Sequence, residues 1–555
     1  MNTQKLSIRL LRDGLDPAHA VRDGVDLSDW AKIEGAKIVL DTMGGGAPKW
    51  AAFLELSEDE EKRLINLTAF GLIFVRGSDR WFAVSFGLGH VKLDPASFEQ
   101  DFGLRVVLNT VDPLQLKSAD VRTPDENTLS RRSQTSRASD QTAFSIDVER
   151  DIVRGLAGRP KSAAFANRVA GSDALSMDRK AEVADLPIIC AEALAAYQKD
   201  DYKANFAWID QIRHIRDQEL IGKLDATVVE AFNAALGGAV PDTLHLAFPV
   251  IYDPEKGSEI RYKGFRSTNI YPDLDIAGYL DALDERGKTD FKPQDLSDHT
   301  AHEVNDEGRD CGGKWKIREC IVFETELEGE KYVLSGGRWY RVDPALAQEV
   351  ADFFAAVDPY ELPEAEAGEN ESKYNKRIAT GEFDLLCLDQ KNVKPTGASS
   401  PIEACDFVTK GRQLIHVKDQ TSSSRLSHLF NQGTVSARVL KIDGAFRDRL
   451  RSQITAQQAA LGMDGFDEVI PGSGQEIKAG DYTIVYAVLP SSVEPKLPFF
   501  SLVTFRQAAR ELQALGYNYA FGWIEKPIGA ATGKAKRRKK AEADQRDIAL
   551  ARRVA

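Results

Sequence analysis

The stretch "CDFVTKGRQLIHVKD", Cys405–Asp419, contains two short apolar runs joined by a polar turn. The first run carries an acid, Asp406, and the second carries His416 and Lys418. Because side chains alternate between the two faces of a strand, His416 and Lys418 share one face, and the apolar residues between them point to the other. A turn through "TKGR" brings Asp406 to the same face. The stretch therefore predicts a hairpin with a carboxylate, an imidazole and an ammonium group together.

The hairpin belongs to a longer unit in which predicted helices and strands follow the order αβββαβ, with one further αβ pair. Helical spacing of apolar residues and runs of β-branched residues give these assignments. The predicted elements are a helix at 371–380, strands at 383–389, 401–408 and 412–418, a helix at 423–440, a strand at 481–490, a helix at 504–516 and a strand at 518–525.

This order, with Asp406 followed by His416-Val-Lys418, resembles the PD-(D/E)XK nuclease superfamily, the restriction-endonuclease-like fold. The nearer likeness is to its Mrr-type branch, in which glutamine replaces the second acid. The resemblance covers about 150 residues and implies a metal-dependent nuclease. His416 departs from the family pattern, because a neutral imidazole is a poorer ligand for Mg²⁺ than a carboxylate, although it is acceptable to Mn²⁺.

The resemblance implies that Asp406 binds Mg²⁺ or Mn²⁺ and that Lys418 contacts the attacking water or the scissile phosphate. A second acid is then needed. Glu371, on the helix that precedes the strands, is the first choice. Glu403 is a further metal-ligand candidate, but it has the wrong strand phase unless the strand is bulged. Asp384 and Asp389, on the first strand, are the remaining options.

The helix after the hairpin has an apolar stripe and a second, polar stripe that contains Arg425, His428 and Gln432. The preceding "TSSS", which includes Ser424, offers an N-cap, and a helix N-terminus attracts phosphate. These residues are predicted to contact nucleic acid, DNA rather than RNA. Each site residue also has a structural alternative: a turn cap for Asp406, a core histidine for His416, a surface ion pair for Lys418 and a solvated helix face for the polar stripe.

Composition predicts a multidomain protein of mixed α+β and α/β class. The chain has 555 residues, 43% of them hydrophobic, and a net charge of −13, so nucleic acid would have to bind a local basic groove. The predicted domains are a β-rich region at 1–130, a helical and mixed region at 131–365, the restriction-endonuclease-like domain at 366–530 and a basic tail at 531–555. Residues 118–144 are predicted to form a loop or a crossing between domains, and residues 358–373 a linker.

The five cysteines are odd in number and irregularly spaced, which predicts free thiols in a reducing cytoplasm. No run of eighteen apolar residues is present, so no membrane partner is expected. The set His299, His302, Cys311 and Cys320 does not have the spacing of a common zinc site.

Stretches such as "RWFAVSFGLGHVKLD" and "IHVKDQTSSSRLSHLFNQG" resemble an uncharacterised, sporadically distributed bacterial family, and that distribution suits a defence gene. The leading hypothesis is a Mg²⁺- or Mn²⁺-dependent nuclease in anti-phage or restriction-like defence, acting as a homo-oligomer or with a defence partner protein. The alternative is a catalytically inactive nuclease fold that binds nucleic acid or a partner protein as a scaffold or sensor. A separate enzyme within residues 1–350 is a weaker third hypothesis.

Overall fold

The structure is a computed structural model that describes residues 3–45, 54, 57–64, 67–124, 128–251, 259–265, 268–305, 308–381, 383–420, 423–492 and 494–527, without the side chains of residues 423–425. The predicted basic tail at 531–555 lies outside these residues. The chain divides into two compact units, one formed by Met1–Arg122 and Ser130–Asp210 and the other by Thr123–Leu129 and Gln211–Ala555. Within the described part of the chain, no helix combines the length and the apolar character that crossing a membrane requires.

The first unit is built on a ten-stranded sheet. Its strand order is β2-β3-β4-β5-β1-β10-β9-β8-β6-β7. The strands are β1 (Thr3–Leu10), β2 (Ser28–Asp29), β3 (Lys37–Gly44), β4 (Leu67–Gly77), β5 (Arg80–Gly87), β6 (Val111–Thr123), β7 (Leu129–Ser139), β8 (Ile152–Pro160), β9 (Arg168–Gly171) and β10 (Leu175–Lys180). The helices are α1 (Glu58–Arg63), α2 (Phe102–Thr110), α3 (Leu186–Tyr197) and α4 (Lys203–Phe206). The prediction of a β-rich N-terminal region is confirmed.

The core of this unit lies between the sheet and helices α2 and α3. Val106 of α2 and Ile189 of α3 are fully buried with the strand residues Val75 and Val84. At Gly103 of α2, an added Cβ would overlap the backbone at Ala174, so glycine allows the helix to lie directly on the sheet.

The loop predicted at residues 118–144 is wrong for most of its length, because β6 extends to Thr123 and β7 occupies Leu129–Ser139. The strand β7 lies at the edge of the sheet and is polar on both faces, so it lacks the apolar alternation by which a half-buried strand is recognised. The predicted domain boundary at residue 130 falls inside β7.

The second unit begins with an antiparallel five-stranded sheet, in the order β11-β18-β17-β16-β12, and a three-stranded sheet, β13-β14-β15. The strands are β11 (Ile212–His214), β12 (Leu244–Leu246), β13 (Glu259–Lys263), β14 (Thr300–Val304), β15 (Asp310–Lys316), β16 (Ile321–Leu327), β17 (Glu330–Ser335) and β18 (Arg338–Val342). The helices are α5 (Gln218–Leu236), α6 (Ile276–Asp284), α7 (Asp295–Asp298), α8 (Ile317–Cys320) and α9 (Pro344–Ala355).

A mixed five-stranded sheet forms the C-terminal part of the second unit, in the order β19-β20-β21-β22-β23. The pairs β19–β20 and β20–β21 are antiparallel, whereas the pairs β21–β22 and β22–β23 are parallel. The elements are α10 (Glu371–Thr380), β19 (Leu386–Cys387), β20 (Phe407–Val408), β21 (Gln413–Asp419), α11 (Ser423–Ile442), α12 (Gly444–Leu461), β22 (Thr483–Leu489), α13 (Phe499–Leu515) and β23 (Asn518–Trp523).

Both faces of this sheet are buried, because alternate residues of its central strands enter different cores. Leu414 and Tyr486 pack in a core that includes residues of α11, α12 and α13. Ile415 and Val485 pack in the core on the other face, with Tyr374 of α10. The hairpin is therefore held between helices on both sides, and its polar groups lie at the ends of buried strands.

The segment predicted as a linker, residues 358–373, is attached to the C-terminal sheet. The Tyr360 amide donates a hydrogen bond of 3.0 Å to the Phe521 carbonyl, and the Ala365 amide donates one of 2.7 Å to the Glu525 carbonyl. Acidic and proline-rich composition indicated a linker, but these backbone groups instead extend the sheet beyond β23. The predicted boundary at residue 365 falls in this segment, between α9 and α10.

Candidate metal centre

The position of Asp406 is fixed by the strands on both sides of it. Asp406 immediately precedes β20, and its amide donates a 2.9 Å hydrogen bond to the Ile415 carbonyl of β21. Its carbonyl accepts a 2.7 Å hydrogen bond from the Leu388 amide, directly after β19. In β20, Phe407 pairs with Ile415 and Val408 pairs with Leu414. Because the Asp406 amide bonds to Ile415, the residue that pairs with Phe407, the regular register does not extend to Asp406, and the common face of Asp406, His416 and Lys418 stays a prediction.

Three carboxylates converge at this end of the hairpin. Asp389, Glu403 and Asp406 can each offer one oxygen, and the three oxygens lie within 4.8 Å of one another. Over the described part of the chain, this is the one such group of three or more acidic, histidine or cysteine residues. Carboxylate oxygens are hard ligands that suit Mg²⁺ or Mn²⁺. The triad could therefore hold a metal ion.

Asp406 is almost completely buried, and both of its oxygens accept hydrogen bonds. The Val417 amide donates to Oδ2 at 2.8 Å, and the Asn375 side chain donates to Oδ1 at 3.1 Å. Burial and the nearby charge of Glu403 raise the pKa of Asp406 well above its usual range, against the opposing effects of the Val417 amide and Lys418. The ionised carboxylate is therefore unfavourable here unless a cation compensates for it.

Glu403 is held in the same way. Its Oε1 accepts from the Gln390 amide at 2.6 Å, and its Oε2 accepts from the Gln432 side chain at 2.9 Å. Burial raises the pKa of Glu403, and the charge of Asp389 adds to that effect. Because a carboxylate oxygen has two lone pairs, these hydrogen bonds orient Glu403 and still leave each oxygen able to bind a metal ion.

Lys418 forms an ion pair with Glu371, in which the two charged atoms are 2.6 Å apart. Both side chains are largely buried. Burial on its own would lower the pKa of Lys418, but the hydrogen bond and charge of Glu371, together with Asp406 and Glu403, outweigh it and raise the pKa. The Glu371 amide also donates a 3.1 Å hydrogen bond to Asp419 at the end of β21. Lys418 is thus a fixed, protonated cation beside the triad.

His416 occupies the position of the second acid in the family pattern, but it lies in the core. Its side chain is fully buried; Nε2 lies 3.3 Å from the Ser436 hydroxyl, and the ring lies against Tyr486. Burial lowers the pKa of His416 to about 3, so the ring is neutral. His416 is not a member of the carboxylate group, and its position matches the structural alternative, a core histidine.

The remaining candidate residues are placed as follows. Gln432 contacts Glu403, whereas His428 is exposed on α11. The side chains of Ser424 and Arg425 lie outside the described residues. Asp384 is mostly exposed and lies 3.5 Å from Lys410, outside the triad.

The phase argument against Glu403 does not hold, because residues 401–405 are not part of a regular strand. Strand β20 contains only Phe407 and Val408, and a two-residue strand imposes no alternation on Glu403. Glu371, the first choice for the second acid, pairs with Lys418 and is not part of the triad. The hydrogen bond from Asn375 to Asp406 has no signal in the sequence, since an asparagine within a helix has no distinctive pattern.

The chain belongs to DUF6119, a family of unknown function, whose model matches residues 6–525. A search of curated proteins and a search of solved structures each found no match.

Proposed function

We propose that this member of the DUF6119 family is a metal-dependent nuclease that hydrolyses phosphodiester bonds of DNA, or of RNA, at the hairpin of its C-terminal mixed sheet. The observation that carries the proposal is the convergence of Asp389, Glu403 and Asp406 beside Lys418. The order α10-β19-β20-β21-α11 agrees with the αβββα part of the restriction-endonuclease-like fold and supports the same assignment, although a further helix, α12, precedes β22.

The proposed metal ligands are Asp389, Glu403 and Asp406. A bound Mg²⁺ or Mn²⁺ would polarise a phosphoryl oxygen and lower the pKa of a water molecule. The chain supplies the other requirements. Gln432 and the Gln390 amide orient Glu403, while Asn375 orients Asp406.

Lys418 is proposed to stabilise negative charge on the phosphate. A protonated amine fixed next to the scissile group lowers the energy of the transition state, in which charge develops on the phosphoryl oxygens. Glu371 would act as a positioning residue, because its ion pair holds Lys418 in place and keeps it protonated. His416 has no chemical step in this proposal, since it is neutral and packed against Tyr486.

We further propose that the nuclease serves anti-phage or restriction-like defence in the cytoplasm. This part rests on the resemblance of the whole chain to a sporadically distributed bacterial family. The large N-terminal part, residues 1–365, would then sense, bind or gate, in a homo-oligomer or together with a defence partner protein.

A catalytically inactive nuclease fold that binds nucleic acid as a scaffold is the second candidate. The observation in its favour is that a core histidine, His416, stands where the family pattern has an acid or a glutamine. The presence of Glu403 and Asp389 next to Asp406 favours the active nuclease. These two residues supply carboxylates that the sequence position of His416 does not.

The test is an assay of the purified full-length protein on DNA and RNA, in Mg²⁺, in Mn²⁺ and in chelator. We expect cleavage that needs the metal and that is lost in Asp406→Ala and in Lys418→Ala. Lys418→Ala should retain metal binding, because an ammonium group repels the ion. The control is Asp464→Ala, which removes a carboxylate that is almost fully exposed.

Activity that survives both substitutions, or that persists in excess chelator, would overturn the proposal. Absence of cleavage with every metal, together with retained nucleic-acid binding, would support the scaffold instead.

A further inference from the structure

An open cleft of about 470 Å³ runs beside β23, the edge strand of the C-terminal mixed sheet. Its other wall is the segment of residues 358–365, here called the strap. The Phe521 amide donates a 3.2 Å hydrogen bond to the Asp358 carbonyl at one end of the strap. At the other end, the Ala365 amide donates a 2.7 Å hydrogen bond to the Glu525 carbonyl. The strap is therefore tied to the sheet at both ends.

Between its ends the strap leaves the edge of the sheet. At Gly522 of β23 an added Cβ would overlap the Tyr360 carbonyl, so the two backbones touch there. Beyond that point, no backbone hydrogen bond joins residues 361–364 to β23 within the described part of the chain. The cleft is the space that opens where the strap departs from the strand.

The cleft offers carboxylates and aromatic rings to a ligand, and none of its described lining residues is a lysine or an arginine. Glu361, Glu364 and Glu525 line it with exposed side chains, and none of the three forms an ion pair within the described part of the chain. Tyr360 and Trp523 line it with half-buried rings. Carboxylates and the faces of aromatic rings both attract ammonium and guanidinium groups. The cleft is therefore complementary to a segment that is rich in lysine and arginine.

Arg377 of α10 contacts the strap, but its charge is balanced by other acids. Its guanidinium donates a 2.7 Å hydrogen bond to the Glu364 carbonyl, which is a backbone group. The same guanidinium lies 2.8 Å from the Glu369 carboxylate and 3.8 Å from that of Glu366. Neither of these carboxylates lines the cleft. The three glutamates of the cleft therefore keep their charges for a ligand.

We propose that the cleft binds the basic tail of this same chain, through the segment from Lys534 to Lys540. Six of these seven residues are lysine or arginine. The described part of the chain stops at Pro527, two residues after Glu525 in the wall of the cleft. Six residues, 528–533, separate Pro527 from Lys534, and two of the six are glycine. A connection of this length spans up to about 20 Å, which is enough to turn back along the strap.

The covalent connection favours the chain's own tail over a separate basic peptide. Ion pairs between exposed side chains are individually weak. A short flexible connection holds the tail at an effective concentration in the millimolar range, at which a few weak contacts suffice. While the tail is docked, its cations are unavailable to nucleic acid or to another partner. The docking is independent of the metal centre, so it holds whether or not the protein cleaves nucleic acid.

The first test locates the tail in the full-length protein. A carbodiimide joins a carboxylate to a lysine amine that touches it, and mass spectrometry of the digested protein identifies the linked pair. We expect the tail lysines to be linked chiefly to the three glutamates of the cleft. An equal mixture of isotope-labelled and unlabelled protein separates links within one chain from links between two copies.

The second test measures how fast trypsin makes its first cut in the tail, because a docked segment is less accessible to a protease than a free one. The variant is Glu361→Gln with Glu364→Gln and Glu525→Gln, which removes the charges of the cleft and keeps the size of the side chains. The matched control removes three charges at exposed positions of the first unit, with Asp23→Asn, Asp26→Asn and Glu34→Gln.

At low salt we expect the tail of the cleft variant to be cut at least about threefold faster than that of the wild type, since the loss of three exposed charges releases it. The control should be cut at the rate of the wild type. At high salt, which screens exposed charges, the difference between wild type and cleft variant should vanish. Equal rates at low salt, or tail lysines linked mainly to acids outside the cleft, would overturn the inference. Links that join two copies would overturn it as well, because the cleft would then hold the tail of a second copy.

Discussion

Two buried polar clusters of the second unit differ in how their charges are balanced. In the first, the Tyr279 hydroxyl is 2.6 Å from His299 Nδ1, and Lys288 Nζ is 3.4 Å from His299 Nε2. Lys288 also donates a 2.6 Å hydrogen bond to Asp295, so a cation and a carboxylate lie on the same side of a neutral ring. This cluster, here called the His299 cluster, is complete without a ligand.

The carboxylate triad is arranged in the opposite way. Asp389, Glu403 and Asp406 lie together, and the nearby cation Lys418 is paired with Glu371. Two buried groups next to it, Asn375 Oδ1 and His416 Nδ1, have no hydrogen-bond partner in the described part of the chain. Buried polar groups are normally satisfied, and like charges are normally separated. The His299 cluster is therefore satisfied by its own hydrogen bonds, whereas the triad could hold a metal ion.

The largest effect should come from removing one charge of the triad. Asp406→Asn keeps an oxygen that can accept the hydrogen bond from Val417 but weakens metal binding. We expect metal-supported cleavage to fall by more than about 100-fold, which exceeds the loss typical of residues that only orient a ligand. We also expect Mn²⁺ to raise the melting temperature of the wild type but not that of the variant, because an ion stabilises only the state that binds it.

The corresponding change in the other cluster, Asp295→Asn, is the control for this experiment. It should lower the melting temperature in chelator and leave the metal-dependent rise intact. The assignment of the metal site to the triad is contradicted if the Mn²⁺-dependent rise in melting temperature is lost in Asp295→Asn or retained in Asp406→Asn.

The next effect concerns stability alone. His299→Leu keeps a similar volume but leaves the Tyr279 hydroxyl without its buried partner. We expect the free energy of unfolding to fall by about 1–3 kcal/mol, the usual cost of an unsatisfied buried polar group. Denaturation in urea measures it. Cleavage and metal affinity, measured under conditions where the variant is folded, should match the wild type; a change in either would link this cluster to the metal centre.

The sequence predicts a helix or strand well where helical spacing or strand alternation of apolar residues is present. The helix predicted at 371–380 has the bounds of α10, and in the structure the Asn370 side chain caps its first turn. Strand β21 was predicted to within one residue by its alternation. Glu403 was placed on the wrong face because strand phase was applied to irregular backbone, and β7 was missed because it is polar on both faces.

The candidate site depends on contacts between residues far apart in the chain. Asp406 and Lys418 follow from the hairpin pattern, which is local. Asp389 joins them because β19 pairs with β20, and Gln432 joins because α11 packs across the strand ends. No pattern within a short window fixes such pairings.

A smaller effect should come from a residue that only orients the triad. Gln432→Ala removes the hydrogen bond to Glu403 Oε2 without changing the charge. We expect metal affinity, measured by calorimetry with Mn²⁺, to weaken about tenfold, the lower end for such partners. Stability in chelator should change little. Asn431→Ala, at the exposed neighbouring position of α11, should bind the metal as the wild type does. Equal affinities in the two variants would show that Glu403 does not need this contact.

The smallest effect should be a change in acid sensitivity of the His299 cluster. Burial lowers the pKa of His299 to about 4, against the opposing charge of Asp295 and with a further lowering by Lys288. In the unfolded chain the ring takes up a proton near pH 6.5, whereas in the folded chain it does so near pH 4. The unfolded state therefore binds more protons between these values, and stability is lost as the pH falls through this window. In His299→Leu the fall in the free energy of unfolding from pH 6.5 to 4, measured by urea denaturation, should be shallower, by at most about 1.4 kcal/mol per pH unit for one proton. His90→Leu, at an exposed histidine of the first unit, should keep the slope of the wild type. If the His299→Leu slope equals that of the wild type, His299 is already protonated in the folded state, and the charge balance that separates this cluster from the triad is wrong.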